Sequence, residues 1–487
     1  AVIVLAAGAG TRMKSRTPKI LHEIGGRSLV GHALHAARTI RPQELALGVR
    51  HERDLVAAHI AAIDPAALIV DQDEVPGTGR AVEAALEALD ALHPQRKLSG
   101  TVVVTYGDVP LLTGGLLAEL VASHEAGHHA VTVLTAVLSD ATGYGRILRA
   151  ADGTVTGIRE HKDATDAERD IREVNSGIYA FDAAVLRDSL AHVTTDNAQG
   201  EKYLTDVLAL ARAAGGRVAA VVTEDRWQVE GANDRVQLSA LGAELNRRTV
   251  EAWMRAGVTV VDPATTWIDA TVTLDEDVRL LPNTQLHGAT TVARDAVVGP
   301  DTTLTDVQVG EGAKVIRTHG SGSTIGAKAS VGPFTYLRPG TVLGETGKIG
   351  AFYETKNVTI GRGSKLSHLG YAGDAEIGED TNIGCGNITA NYDGEKKHRT
   401  VIGSGVRTGS NTVFVAPVQV GDGAYSGAGA VIRRDVPPGA LVLSLAQQQN
   451  TEGWVLANRP DSISASLAAA AGATTTSSST PASTEEG

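Results

Sequence analysis

One cysteine, Cys385, is all that 487 residues contain. A single thiol closes no internal disulfide framework and builds no cysteine-rich zinc site, and it fits a reducing cytoplasm. Aromatic residues are nearly as scarce. Four Phe, four Trp and nine Tyr leave little for base-stacking platforms. Positive charge is short as well: the formal net charge is −12, the reverse of the basic face that neutralises nucleic-acid phosphates. No apolar run approaches the ~20 residues of a membrane span. The apolar opening, Val2 to Leu5, is short and lacks a basic stretch, so it does not read as a signal peptide. It starts directly on a strand without an initiator methionine, as a trimmed chain would. The expectation is a cytoplasmic protein with small-molecule partners and neither nucleic acid nor membrane. At ~100–200 residues per domain the length predicts two or three domains.

Glycine, at 55 residues, is what the chain has in plenty, and its placement divides the sequence. Over residues 1–230, short β-branched runs alternate with amphipathic stretches. VIVL, TVVVT (Thr101–Thr105), VTVLTAVL (Val131–Leu138) and VAAVV (Val218–Val222) read as buried strands. Ser28–Arg38 and Leu116–His124 carry helical spacing between them. This is the pattern of an α/β, Rossmann-like domain, whose ligands bind beyond the carboxyl ends of the strands. Residues 231–257 read as one linker helix, with apolar Val236, Leu238, Leu241, Leu245 and Val250 among alternating charges and Asn233 as its N-cap.

From 258 to about 456 the apolar period becomes six. Ile268, Leu274, Leu280, Leu286, Val292, Val298 and Leu304 succeed one another at that interval, and the series resumes at Ile325, Val331, Leu337, Leu343 and Ile349. Neither helix nor ordinary strand produces such a period. Hexapeptide repeats predict a left-handed parallel β-helix of roughly nine coils. Longer steps, Ile349 to Ile360, Leu366 to Ile377 and Ile383 to Ile402, predict loops projecting from the prism. Lys356, His368, Tyr371, Asn391 and Tyr392 fall inside them. Residues 457–487 are small, polar and low in complexity, the composition of a disordered tail.

Two groups of residues carry chemistry. LAAGAGTRM (Leu5–Met13) lies directly after the first strand; Gly8 and Gly10 let backbone approach a polyphosphate, while Thr11, Arg12 and, further on, Lys19 supply donors and charge. The loop is neither G-x-G-x-x-G nor G-x-x-x-x-G-K-[ST], which disfavours a Rossmann dehydrogenase and a P-loop ATPase. In the repeat segment, Arg338 and Lys356 can supply a pair of cations for a substrate phosphate. His368 has the side chain whose ordinary pKa, ~6.5, suits a general base for an ammonium.

LAAGAGTRM, TPKILHEIGGRSL, Gln72 with Gly77-Thr78-Gly79, VTYGDVPLL, GYGRI, REHKDAT, EVNSGIY and GANDR stand in one order ahead of the hexapeptides. Over roughly residues 1–455 the chain resembles the bacterial bifunctional N-acetylglucosamine-1-phosphate uridylyltransferase/glucosamine-1-phosphate acetyltransferases. The resemblance implies synthesis of UDP-N-acetylglucosamine from acetyl-CoA, glucosamine-1-phosphate and UTP. It places Leu5, Ala6, Ala7 and Gly8 around the uridine, Arg12 and Lys19 at the phosphates, and Gln72, Gly77 and Thr78 at the uracil edge. Tyr106, Gly107, Gly145, Glu160 and Asn175 would surround the ribose and sugar, and Asp108 with Asn233 would hold Mg²⁺. Arg338, Lys356, Tyr371 and Asn382 would bind glucosamine-1-phosphate, with His368 as base. Cys385, Asn391, Tyr392, Ser410 and Ala428 would line acetyl-CoA.

Two departures stand out: Cys385 occupies a position where alanine is usual, and Leu445 one where some members carry an arginine for acetyl-CoA. The default character of Cys385 is a buried, inert thiol, because free cysteine usually behaves as a small hydrophobe; the alternative is that it lines the acetyl-CoA channel. Trp454 is a candidate to stack on the cofactor or to pack on the last coil. The resemblance also implies a homotrimer through the β-helix. Two other readings remain open on sequence: a single-activity sugar nucleotidyltransferase with a regulatory β-helix, and a catalytically silent scaffold.

Overall fold

A computed structural model describes residues 1–197, 199–444 and 448–474. Seven strands form the main sheet of the first domain: β1 (Val2–Leu5), β2 (Leu45–Val49), β3 (Leu68–Asp71), β4 (Thr101–Tyr106), β5 (Val131–Val137), β6 (Glu173–Asp182) and β7 (Val218–Thr223). Their order is β7-β5-β6-β4-β1-β2-β3. β1 is central and pairs in parallel with β2 and β4. Its side chains alternate between two cores, as a doubly covered strand requires. Val2 and Val4 pack with Val30 and Leu117 on one face, Ile3 and Leu5 with Val82 and Leu89 on the other. β6 runs antiparallel to both neighbours, so the sheet is mixed rather than wholly parallel.

The expected helices form with side-chain caps. Ser28 Oγ accepts from Gly31 N at the start of Leu29–Thr39, and the Thr113 side chain accepts from Leu116 N at the start of Gly114–Ala126. The linker helix runs Arg235–Arg255. Its cap is Asp234, whose carboxylate accepts from Val236 N and Gln237 N at 2.9 Å each. Asn233, expected as the cap, is displaced one residue outward and its amide turns elsewhere. The helix docks on the repeat domain through buried Asn246, which donates to Thr266 O (2.8 Å) and accepts from Ile268 N (3.0 Å).

The second domain is a parallel β-helix built from strands mostly two to four residues long. Most strands pair with the third along the chain, for example Ile268 with Leu286 and Leu286 with Leu304. The hexad residues Ile268 to Leu304 are all buried, because one inward apolar side chain per face is what fills the prism. Two of the longer steps differ from expectation. Residues Lys348–Ile360 and Lys365–Ile377 form continuous 13-residue strands paired from Lys348–Lys365 to Ile360–Ile377. A step of eleven is one residue short of two hexads, so the chain rounds its corner without projecting. The step from Ile383 to Ile402 is the one that leaves the prism, as a turn closed by a Tyr392–Lys397 bridge.

Short helices at Trp454–Asn458 and Ile463–Ala470 occupy part of the segment expected to be disordered. Ser462 caps the second, accepting from Ala465 N at 3.1 Å. Residues 475–487 and Leu445 lie outside the described residues. Among the described residues no helix is long and apolar enough to cross a membrane.

Two candidate active sites

Strands β1 to β4 end on one side of the sheet, and the loops leaving them meet in a cavity of about 360 Å³. Its lining includes Leu5, Ala6, Ala7, Gly8, Lys19, Gln72, Gly77, Thr78, Tyr106 and Asp108, all expected from the sequence. Gly107 N donates to Leu5 O (2.9 Å), which binds the glycine-rich loop to the end of β4. Gly77 has φ 118°, and a Cβ there would lie 2.4 Å from the Lys202 carbonyl oxygen, so only glycine turns the chain at this point. Gln72 Nε2 donates to the carbonyl oxygens of Val75 (3.3 Å) and Gly77 (3.4 Å), shaping the same loop.

At the cavity's floor the Lys19 ammonium contacts Asp108 and lies 3.4 Å from Asn233 Oδ1. Ala232 N donates to Asp108 O (3.0 Å), fastening the Asn233 segment to the end of β4. The carboxylate and the amide oxygen therefore converge on one cationic point. Two hard oxygen donors with substrate phosphates to complete the shell suit Mg²⁺, which keeps few protein ligands.

Beside this floor, Asn175 N donates to Gly145 O, and Asn175 Oδ1 accepts from Gly177 N and from the Tyr179 hydroxyl, each at 2.9 Å. Tyr106 packs on Gly177. Burial first, then the charges of Asp108 and Glu160, push the Tyr106 hydroxyl up, which brings Glu160 into the same cluster. Burial also raises the Glu160 carboxyl, against the lowering effect of a hydrogen bond from Thr205. Arg12 is not drawn in: it is exposed on the turn Thr11–Met13 and outside the lining.

Arg50, His51, Pro76 and Glu201 also line the cavity and were not expected. Arg50 and His51 come directly after β2, so recognising β2 as a parallel strand would have pointed to them. Glu201 precedes Lys202, which braces the loop by donating from N to Pro76 O (3.0 Å) and accepting from Gly79 N (2.8 Å). No local pattern marks that contact.

In the β-helix, strand register stacks residues one coil apart, roughly 4.8 Å. Ala351 opposes His368, Leu366 opposes Ile383, Asn382 opposes Arg407 and Thr408 opposes Ser426. His368, Cys385, Ser410 and Ala428 consequently form one column beside a single corner, all four exposed. Cys385 is thus a surface thiol. A flat, repeating backbone makes this a surface position even for a small apolar side chain. Asn382 lies on the same face, three residues before Cys385 and half-buried.

Around the corner lies a cavity of about 850 Å³, lined by Tyr336, Glu354, Tyr371, Phe334, Phe352 and Leu369 among others. Leu337 opposes Thr355, so Arg338 and Lys356 occupy equivalent places on successive coils. Arg338 Nη1 donates to Glu354 Oε1 at 2.9 Å. Lys397, close by, holds the Lys356 ammonium below its ordinary range. Asn391 Nδ2 donates to Asp374 Oδ2 (2.5 Å) and lies 3.4 Å from the Tyr371 hydroxyl. Lys397, His398 and Arg399 share a smaller cavity of about 360 Å³ with Asn357 and Asp374. Tyr392 is exposed and hydrogen-bonds Gly394 O. Trp454 is 46% exposed, with the Arg459 guanidinium over its ring.

Residues 2–169 match the MobA-like NTP transferase domain. The whole chain is 85% identical to the bifunctional protein GlmU of Pseudarthrobacter chlorophenolicus, across 98% of that protein. The chain belongs to the bifunctional GlmU family. The bifunctional protein GlmU of Paenarthrobacter aurescens is 86% identical over 96% of this chain and 94% of its own length. That of Micrococcus luteus is 68% identical over 96% of each. Alignment over essentially the full length places both halves of this chain, the mixed-sheet domain and the β-helix, within the GlmU family.

Proposed function

We propose that the two halves of UDP-N-acetylglucosamine synthesis are divided between these sites, acetyl transfer at the β-helix corner and uridylyl transfer at the strand-end cavity. The observation that carries the division is the corner column, His368 with Cys385, Ser410 and Ala428 on successive coils, together with Arg338 and Lys356, which occupy equivalent places on two successive coils past the corner. A purely structural prism has no use for these residues together.

In acetyl transfer, Arg338, Lys356, Tyr371 and Asn382 hold the phosphate and ring of glucosamine-1-phosphate. Glucosamine presents its amine to His368, which takes a proton as nitrogen attacks the thioester carbonyl; no covalent enzyme intermediate is needed. Acetyl-CoA runs along Cys385, Ser410 and Ala428 toward Asn391 and Tyr392. How Leu445 bears on the nucleotide end lies outside the described residues.

In uridylyl transfer, the 1-phosphate of the acetylated sugar attacks the α-phosphate of UTP and expels pyrophosphate. Lys19 neutralises phosphate charge, Gln72 and Thr78 read the uracil, and Tyr106, Glu160 and Asn175 position the ribose and sugar. Asp108 and Asn233 would hold Mg²⁺, which when bound supplies charge neutralisation at the phosphates. Positioning does the rest. Arg12, at the mouth of the loop, would act only once phosphates arrive.

The expected homotrimer is supported by an apolar ridge along one corner, where Phe334, Phe352 and Leu369 are 54–60% exposed and further copies of the chain would cover them. The chain's lone surface thiol suits the reducing cytoplasm. The test is a coupled assay with acetyl-CoA, glucosamine-1-phosphate, UTP and Mg²⁺. Release of CoA and of pyrophosphate, measured separately, should each depend on its own substrates. Release of only one of the two products by the wild-type chain, with all substrates supplied, would refute the two-activity reading.

A further inference from the structure

Within the β-helix, one inward position repeats coil after coil as threonine. Thr302, Thr318 and Thr335 occupy it below the acyl corner and Thr412 above it, by the register of their strands. Each hydroxyl is tied to a main-chain carbonyl: Thr302 to Pro300 (3.1 Å), Thr318 to Ile316 (2.9 Å), Thr335 to Gly350 (2.9 Å) and Thr412 to Gly409 (3.0 Å). On the intervening coils the position is Tyr353, then Gly370, directly paired with it, then the buried Asn387. The ring takes the space the glycine leaves. A Cβ on Gly370 would lie 2.8 Å from both Cε2 and Cζ of Tyr353, so the hydroxyl end of the ring crosses that α-carbon.

Tyr353 is 2% exposed, yet its hydroxyl makes no hydrogen bond among the described residues. A buried tyrosine ordinarily finds a partner. The hydroxyl is also absent from the fully enclosed unpaired polar atoms, so it is the tip that reaches the surface. That tip lies within electrostatic reach of the Cys385 thiol, and Tyr353 lines the same cavity as Tyr371, Glu354 and Gly386. The arrangement is an unspent donor, held rigidly by the prism and delivered to the column that begins with His368.

We propose that the Tyr353 hydroxyl is a catalytic hydrogen-bond donor to the thioester carbonyl oxygen in acetyl transfer, reaching it through the gap at Gly370. The proposal rests on the corner column being the acyl site. As the sugar nitrogen bonds to the carbonyl carbon, the C=O electron pair moves onto oxygen, where Tyr353 donates. When the C–O double bond re-forms, the C–S bond breaks, and His368 returns the amine's proton to the departing thiolate. Tyr353 keeps its own proton throughout. Burial pushes its ionisation up, which keeps it a donor at working pH.

Tyr353→Phe retains the ring and its packing and removes only the O–H. The expected result is a fall of about 10²-fold in kcat for acetyl transfer, the scale of losing one preorganised oxyanion donor. KM for glucosamine-1-phosphate, the melting temperature and uridylyl transfer should stay at wild-type values, so that the loss is confined to kcat for acetyl transfer, where a merely packing tyrosine would show none. Wild-type acetylation by Tyr353→Phe, alongside a crippled His368→Ala, overturns the tyrosine's role alone. Wild-type acetylation by His368→Ala overturns the corner reading on which it rests.

Discussion

The Lys19 ammonium rests on the Asp108 carboxylate, although 89 residues separate them in the chain. Both side chains are largely withdrawn from water, 12% and 16% exposed. A partly buried ion pair of this kind depends on both members, since removing one strands the other's charge. Under the proposed function the ammonium would meet substrate phosphate and the carboxylate a divalent cation, so binding of either would loosen the pair.

Asp108→Asn should therefore abolish uridylyl transfer while acetyl transfer continues at the wild-type rate. Pyrophosphate release and CoA release, measured separately on a folded protein of unchanged oligomeric state, decide it. If both activities fell together, the sites would not be independent.

Replacing His368 with alanine should slow acetylation by ~10²–10⁴, the usual contribution of a positioned base. Uridylyl transfer from supplied N-acetylglucosamine-1-phosphate should be unaffected. A normal rate of CoA release would take His368 out of the chemistry.

The exposed Cys385 thiol offers a chemical probe of the column. Maleimide on its sulfur should block acetyl transfer, spare uridylyl transfer, and react more slowly after saturation with acetyl-CoA. As the chain's only cysteine, it makes the labelling unambiguous. Full acetyltransferase activity after stoichiometric modification, verified by mass, would place the cofactor elsewhere.

His32 gives the first domain an acid limit. The imidazole is buried, 2.9 Å from Ile24 O, and burial, with Arg27 and His35 adding repulsion, pushes it down to about 4. In the unfolded chain it returns to about 6.5, so between those values the unfolded state binds the extra proton. Stability is therefore complete above about pH 6.5 and falls with pH until about 4, by an order of about 3 kcal/mol. Melting temperatures of His32→Gln, which keeps an N–H for Ile24, should be flatter across this range. An unchanged acid limb would show that another group sets it.

The β-helix was legible because its period is a property of single residues: each of Ile268 to Leu304 must be apolar to fill one face, whatever its neighbours. The glycine-rich loop and Asp108 were legible because a strand's end announces them. Arg50 and His51 were missed with β2, whose LALGV run is short and broken by Gly48. The antiparallel β6 went unread because strand direction is decided by partners distant in sequence. The bend at Lys348–Ile360 escaped for a different reason: a missing residue at a corner looks, in a one-dimensional periodicity, the same as an added loop. Tyr353 was invisible because its meaning depends on Gly370, one coil above.

The corner column also makes the prism a measuring rod. Its members sit 17, 25 and 18 residues apart in sequence, yet each is one coil above the last. Excising a single hexad between His368 and Cys385 would turn everything above it by one face, carrying Cys385, Ser410 and Ala428 away from the histidine. Excising a whole coil of about 18 residues would shorten the rod but restore the alignment. Length changes in such a domain are thus tolerated in whole coils and not in parts, and the seven or so extra residues at the Asn391–His398 turn survive only because they leave and re-enter at the same graduation.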